Sequence, residues 1–118
     1  MVDNNEKEKQ EYIKKLVNIS RERAKYVGID HAALDISGYA LKAAEDRMET
    51  MKREGLSVSS LEAEVEIGAY TKIADDMNQR IADARAKISD YDADIESLAD
   101  EIAKKFGENL THEDKYGM

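Results

Sequence analysis

The two histidines are the side chains of this 118-residue sequence best suited to proton transfer or metal binding near neutral pH. His31 follows Asp30 directly and precedes Asp35 by four residues, a spacing that places His31 and Asp35 on one helical face. His112 is followed by two acidic residues. A di-iron helical bundle requires Glu-x-x-His pairs, and the sequence contains none. We therefore predict no metal-ligating residue and no cofactor.

The sequence also shows no set of residues typical of nucleophilic catalysis. The sequence has no cysteine, so disulfides, thiolate nucleophiles and cysteine-based zinc sites are excluded. It shows no glycine-rich phosphate loop, no Ser–His–Asp set and no pair of candidate catalytic carboxylates. We expect a protein that is not an enzyme and has no catalytic residue.

The charge balance bears on partners and location. The net charge is −8, with 18 basic and 26 acidic residues. Binding to nucleic-acid phosphates or to an anionic membrane surface needs clustered Lys and Arg, so neither is expected as a partner. The first residues do not resemble a signal peptide, and no apolar run approaches the length of a membrane span. We expect a cytoplasmic or virion-associated protein.

Composition predicts an all-α protein. There is no proline, 6% of residues are aromatic and 37% are charged, which suits long helices. Gly28 and Gly55 stand where helix C-terminal glycines belong, and Ser59 with Glu62 forms a capping-box pattern. The predicted helices are 5–27, 30–54 and 60–106.

Apolar stripes accompany the first two helices. The first stripe contains Ile13, Leu16, Val17, Ser20, Ala24 and Val27. The second contains Leu34, Ser37, Leu41, Ala44, Met48 and Met51, flanked by Ala33, Ala40 and Ala43. Both follow the three- and four-residue spacing of one helical face.

The third helix carries an unbroken heptad seam. Its apolar residues alternate steps of three and four, the pattern of a coiled coil. The seam consists of Ile67, Tyr70, Ala74, Met77, Ile81, Ala84, Ile88, Tyr91, Ile95, Leu98 and Ile102. We predict that these residues form a coiled-coil or oligomer interface.

A helix of some 46 residues extends about 69 Å, so it must pair with an equally long partner or protrude. The predicted fold is a long antiparallel helical hairpin in one domain spanning 1–118. Its first arm, 5–54, bends at Gly28, its second arm is 59–106, and 107–118 form a flexible tail. The alternative is that the first two helices pack separately around half of the third and leave the other half for another chain. In the hairpin, the basic residues of 5–27 would lie beside the acidic stretch 90–101.

These features favour a helical protein–protein interaction module: an assembly factor, scaffold or adaptor that acts through a self-associating coiled coil. The expected partners are a second copy of the chain, in a dimer or larger oligomer, and a further protein of unknown identity.

One alternative function rests on residues 20–34. Ala24, Gly28, Ile29 and Leu34 occupy the positions of the small crossing residue, the turn glycine and the flanking apolar residues of a helix–turn–helix. This segment resembles the DNA-binding motif of phage repressor-type domains, and the whole chain would then resemble a small phage terminase subunit. The resemblance implies DNA contacts by His31 at base edges, with Arg21, Arg23 and Lys25 nearby.

Two further alternatives use the hairpin itself. The chain resembles the secreted WXG100 proteins, which are short, acidic, cysteine-free helical hairpins that pair. Its turn lacks their Trp-x-Gly, and its tail lacks their Tyr-x-x-x-acidic signal. The acidic stretch 90–101 could instead imitate a nucleic-acid backbone and inhibit a nucleic-acid-binding protein.

Overall fold

The computed structural model of the protein describes residues 4–57 and 60–117. Its elements are α1 (Asn4–Arg53), α2 (Leu61–Phe106) and α3 (His112–Tyr116), with no strand in these ranges. The long helices α1 and α2 run antiparallel, as the contacts below show. The predicted all-α antiparallel hairpin is confirmed.

The helix break predicted at Gly28 is wrong. Helical structure continues through Gly28 to Arg53, so residues 5–54 do not form two helices. A glycine that ends a helix has a positive φ, and in the described ranges that holds for Gly55, Gly107 and Gly117 only. Gly28 is an interior helical residue.

The first half of the turn between α1 and α2, where Gly55 ends α1, has the structure that the sequence predicts. Gly55 has φ 73°, its N–H donates to the Lys52 carbonyl, and the Leu56 N–H donates to the Met51 carbonyl at 2.8 Å. This pair of bonds is the Schellman motif that closes a helix. At the other end, the Ser60 hydroxyl accepts from the Ala63 N–H at 3.2 Å and caps α2. The predicted capping box on Ser59 lies outside the described residues.

The contacts divide the chain into two compact units. The terminal unit contains the described residues up to Val27 and those from Arg85 onward, and the turn unit runs from Gly28 to Ala84. Each unit is therefore built from one stretch of α1 and one antiparallel stretch of α2.

In the terminal unit, apolar and charged contacts together fix the helix pairing. Ile95 and Ile102 are fully buried, and Leu16 of α1 is buried as well. The rings of Tyr12 and Phe106 meet edge to face with centroids 5.7 Å apart. Two ion pairs link α1 to α2, Arg23 with Asp92 at 2.5 Å and Glu8 with Lys105, and a third joins Lys9 to Glu108 just after α2. The predicted placement of 5–27 beside the acidic stretch of α2 is confirmed by the Arg23–Asp92 pair.

The turn unit is held by small side chains. Most of its buried residues are alanines, which let two helix backbones approach closely. The buried set is Ala33, Ser37, Ala40, Ala44, Met51, Ala63, Ala74, Ile81 and Ala84. Ser37 donates to the Asn78 amide oxygen at 3.3 Å, and Arg47 pairs with Glu66 at 3.0 Å, which sets the antiparallel register.

The covered face of α1 differs from the predicted stripes. Val17, Leu34 and Leu41 are exposed, whereas Ala33 and Ala40, expected as flanking residues, are buried. Eleven of the positions that are at least half-buried fall at alternating steps of three and four from Leu16 to Met51. They are Leu16, Ile19, Arg23, Tyr26, Asp30, Ala33, Ser37, Ala40, Ala44, Arg47 and Met51. This register continues without a shift across Gly28.

The tail contains a helical turn that the sequence analysis did not expect. Thr111 and Asp114 form a reciprocal capping box at the start of α3, and Gly117 ends it in the left-handed conformation. Ser20 donates to the Lys115 carbonyl, and Lys115 pairs with Glu96 at 3.0 Å. α3 thus packs on α1 and α2 within the terminal unit.

Candidate interaction surface

The heptad seam predicted on α2 faces inward in both units. All eleven of its residues, from Ile67 to Ile102, are buried or half-buried within the chain itself. The ring of Tyr91, for example, lies 5.8 Å from that of Tyr26 on α1. The seam is therefore used to pair α2 with α1. Its use between chains stays a prediction, and the surface available to a partner has to be sought elsewhere.

The turn unit leaves large apolar side chains on its surface. On α1 these are Ile29, Leu34, Ile36, Tyr39 and Leu41, and on α2 they are Leu61, Val65 and Ile73. Tyr39 is 75% exposed and Leu61 is 76% exposed. Single exposed apolar residues are normal, but a group concentrated on one helical segment marks an interaction surface.

The exposed apolar residues of α1 lie along two edges of this helix, one on each side of the face that packs on α2. The first, which we name the Gly38 edge, is formed by His31, Leu34, Gly38, Leu41 and Glu45. These positions alternate steps of three and four, as the residues of one helical stripe do.

The second, the Ile36 edge, consists of Ile29, Ala32, Ile36, Tyr39 and Ala43, again at steps of three and four. A helix with apolar residues on its packed face and on both flanking edges resembles one that is enclosed by neighbours. Between residues 29 and 44, α1 has this character.

At Gly38, no described residue lies where a side chain would point. A Cβ added at this position would meet nothing within 4 Å. Glycine in a helix interior costs about 0.5–1 kcal/mol relative to alanine. No contact of Gly38 with the described residues offsets that cost.

The residues of the DNA-binding alternative are placed differently from a helix–turn–helix. Arg23 is engaged by Asp92, and its guanidinium stacks on the Tyr116 ring at 4.9 Å. Lys25 pairs with Glu22, while Arg21 and His31 are exposed. Because residue 28 is helical within α1, the turn that would present a recognition helix is not formed.

The acidic stretch 90–101 is partly neutralised inside the terminal unit. Asp92 accepts from Arg23, and Glu96 accepts from both the Tyr116 hydroxyl at 2.7 Å and the Lys115 ammonium. The hydrogen bond from Tyr116, and then that from Lys115, lowers the pKa of Glu96. Burial, followed by the bond to Glu96, raises the pKa of Tyr116 to about 12. Within the acidic stretch, Asp92 therefore pairs with α1 and Glu96 holds α3.

Within residues 4–57 and 60–117, no group of three or more potential ligand side chains could hold a metal ion. In the same ranges, no helix combines the length and apolarity that crossing a membrane requires.

Sequence analysis missed the Ile36 edge entirely. The predicted stripes contain neither Ile36 nor Tyr39, and Ile29 enters only through the helix–turn–helix resemblance. The signal that could have found them is the register of α1 itself: once Ala33, Ser37 and Ala40 are taken as the packed face, Ile29, Ile36 and Tyr39 must flank it.

Comparison with known proteins adds no assignment, since no family model, no curated protein and no solved structure matches this chain.

Proposed function

We propose that the protein is a non-enzymatic helical interaction module, an assembly factor, scaffold or adaptor, that works by self-association. The observation that carries this proposal is the inverted distribution of side-chain size in the turn unit. Alanines fill the space between α1 and α2, while leucine, isoleucine and tyrosine side chains of the same α1 segment are 44–75% exposed.

Burial of the exposed apolar side chains would favour association. Burying an exposed leucine or isoleucine removes apolar surface from water at roughly 25 cal/mol per Å². The edges of α1 would gain that free energy by contact with a partner, because α2 already occupies the packed face. Two turn units joined through these edges would make a four-helix bundle, a common solution for amphipathic hairpins.

The terminal unit is the part of the chain that contrasts with this surface. Among its described residues, Val17 is the exposed large apolar side chain, at 42%, and three ion pairs join its helices. We therefore assign association to the turn unit and treat the terminal unit as the part that holds the chain ends together.

Light scattering on the purified full chain tests the proposal. At micromolar concentration we expect a mass of at least twice 13.3 kDa. The triple variant Leu34→Asp, Ile36→Asp, Leu41→Asp should shift the mass to that of a monomer while circular dichroism stays helical, since all three side chains are exposed.

Val17→Asp is the matched control, because it changes an exposed apolar residue of the same helix outside the turn unit. It should leave the mass unchanged. A wild-type chain that remains a monomer of 13.3 kDa up to hundreds of micromolar would overturn the proposed self-association.

A further inference from the structure

We propose that the Gly38 edge of α1 binds the same edge of a second copy, with the two α1 helices antiparallel and crossing at Gly38. This inference rests on the proposed self-association and names the surface that performs it.

The glycine supplies the first argument. Gly38 lies in the interior of α1, is exposed, and has open space where a side chain would be. Its helical cost is therefore not explained by the fold of one chain. A glycine at a helix crossing lets two backbones approach closely, which explains the cost if a second helix crosses there.

The neighbours of Gly38 supply the second argument. Leu34 and Leu41, on the same edge, are 52% and 46% exposed. They precede and follow the glycine by four and three residues, so they stand on either side of the crossing point. In an antiparallel pair, Leu34 of each copy would be level with Leu41 of the other.

Charge complementarity identifies the occupant as a second copy. Asp35 and Lys42 are nearly equidistant from Gly38, as are His31 and Glu45. A two-fold axis near Gly38 therefore places Asp35 opposite Lys42 of the other copy, and His31 opposite Glu45. Among the described residues, none forms an ion pair with Asp35 or Lys42 inside the chain, and both are exposed.

A parallel pair would not provide this charge match. There, two-fold symmetry would put the two copies of Asp35 on opposite sides of the contact, and likewise the two copies of Lys42, so Asp35 would not meet Lys42 of the other copy. A two-fold, isologous dimer is also the commonest kind of soluble homo-oligomer.

A single engineered thiol tests the crossing point directly. The chain has no cysteine, so Gly38→Cys introduces one thiol per chain. A disulfide forms only where the two Cα atoms are within about 7 Å, which the proposed crossing provides. With oxidised glutathione as the oxidant, which is reduced to two molecules of glutathione for each interchain disulfide formed, we expect a covalent dimer on a non-reducing gel.

Gly28→Cys is the matched control. Gly28 is likewise an exposed helical glycine with open space around it, but it is not on the Gly38 edge. It should remain monomeric on the gel. Equal cross-linking of both variants, or none in Gly38→Cys, would overturn the crossing at Gly38.

Charge exchange tests the antiparallel pairing without relying on a thiol. Asp35→Lys alone and Lys42→Asp alone should each weaken self-association about tenfold, equivalent to about 1.4 kcal/mol, because each creates two like-charge pairs across the axis. An equimolar mixture of the two variants should associate, since each chain then offers the charges that the other lacks. The double variant Asp35→Lys, Lys42→Asp should also recover the wild-type mass.

The outcomes separate the two proposals. A monomeric wild-type chain contradicts self-association itself, and any cover for the Gly38 edge would then be a protein of different sequence. A wild-type oligomer whose affinity is unchanged by Asp35→Lys and Lys42→Asp keeps the proposed function but overturns this assignment of its surface.

Discussion

Ala33 and Leu34 are consecutive residues of α1, yet Ala33 is 3% exposed and Leu34 is 52% exposed. The smaller side chain faces α2 and the larger one faces away from it. A hairpin that needed only its own core would place the leucine inside, where its burial stabilises most. The pair therefore shows that the α1 register is set by close helix packing, at the cost of exposing leucine.

Exchanging sizes at these two positions tests that register. Ala33→Leu forces extra methylenes into the packed face and should destabilise the fold by about 1–3 kcal/mol. Leu34→Ala removes a half-exposed side chain and should change the unfolding free energy of the isolated chain by less than about 1 kcal/mol. Urea denaturation at submicromolar concentration, where association is minimal, measures both.

The reverse ranking, with Leu34→Ala more damaging than Ala33→Leu in dilute solution, would place Leu34 in the intrachain core. It would also remove the exposed edge on which the proposed interaction depends.

The α2 seam could be predicted from the sequence because its residues are large and regularly spaced. Isoleucine at 67, 81, 88, 95 and 102 makes the packed face of α2 visible without any knowledge of its partner. Helix length and the absence of proline then predict an antiparallel hairpin, and both expectations agree with the structure.

The α1 face could not be predicted in the same way, because its inward residues are small or polar. Ala33, Ser37 and Ala40 give a weak hydrophobic signal, and Arg23 and Asp30 interrupt it. The predicted stripe therefore contains the larger residues beside them, Leu34 and Leu41. Which face of α1 packs is decided by the volume that α2 leaves available, a property of two helices together.

The buried centre of the α2 seam gives a second prediction. Ile95 is fully buried, so Ile95→Asp would bury an unpaired carboxylate at an effective cost of several kcal/mol. Ala93→Asp, two residues away and exposed, should cost no more than about 1 kcal/mol, most of it helix propensity. Thermal unfolding followed by circular dichroism compares them. Similar melting of Ile95→Asp and the parent would show that the heptad register is misassigned.

Docking of α3 should be lost at strongly alkaline pH. The Tyr116 hydroxyl donates to Glu96, and its pKa in the folded chain, about 12, is above the usual value near 10. A raised folded pKa means that the stabilisation is fully present below pH 10 and is lost as pH rises through about 12. Tyrosinate absorbance of the parent minus that of Tyr116→Phe should titrate near pH 12. A difference titration centred near pH 10 would contradict the docked position of Tyr116.

Glycine substitutions provide the last prediction, which concerns the continuity of α1. Gly28 is helical with open space around it, so Gly28→Ala should stabilise the chain by about 0.5–1 kcal/mol through helix propensity. Gly55 has a φ of 73°, so Gly55→Ala should cost about 1–2 kcal/mol by placing a Cβ in the left-handed region. Both positions are exposed and neither alanine would meet a neighbouring atom within 4 Å, so backbone conformation is the main difference between them. Unfolding in urea gives the two signs. If Gly28→Ala destabilises the chain as Gly55→Ala does, residue 28 is in a turn, and the helix–turn–helix interpretation with its DNA contacts at Arg21 and His31 regains its structural basis.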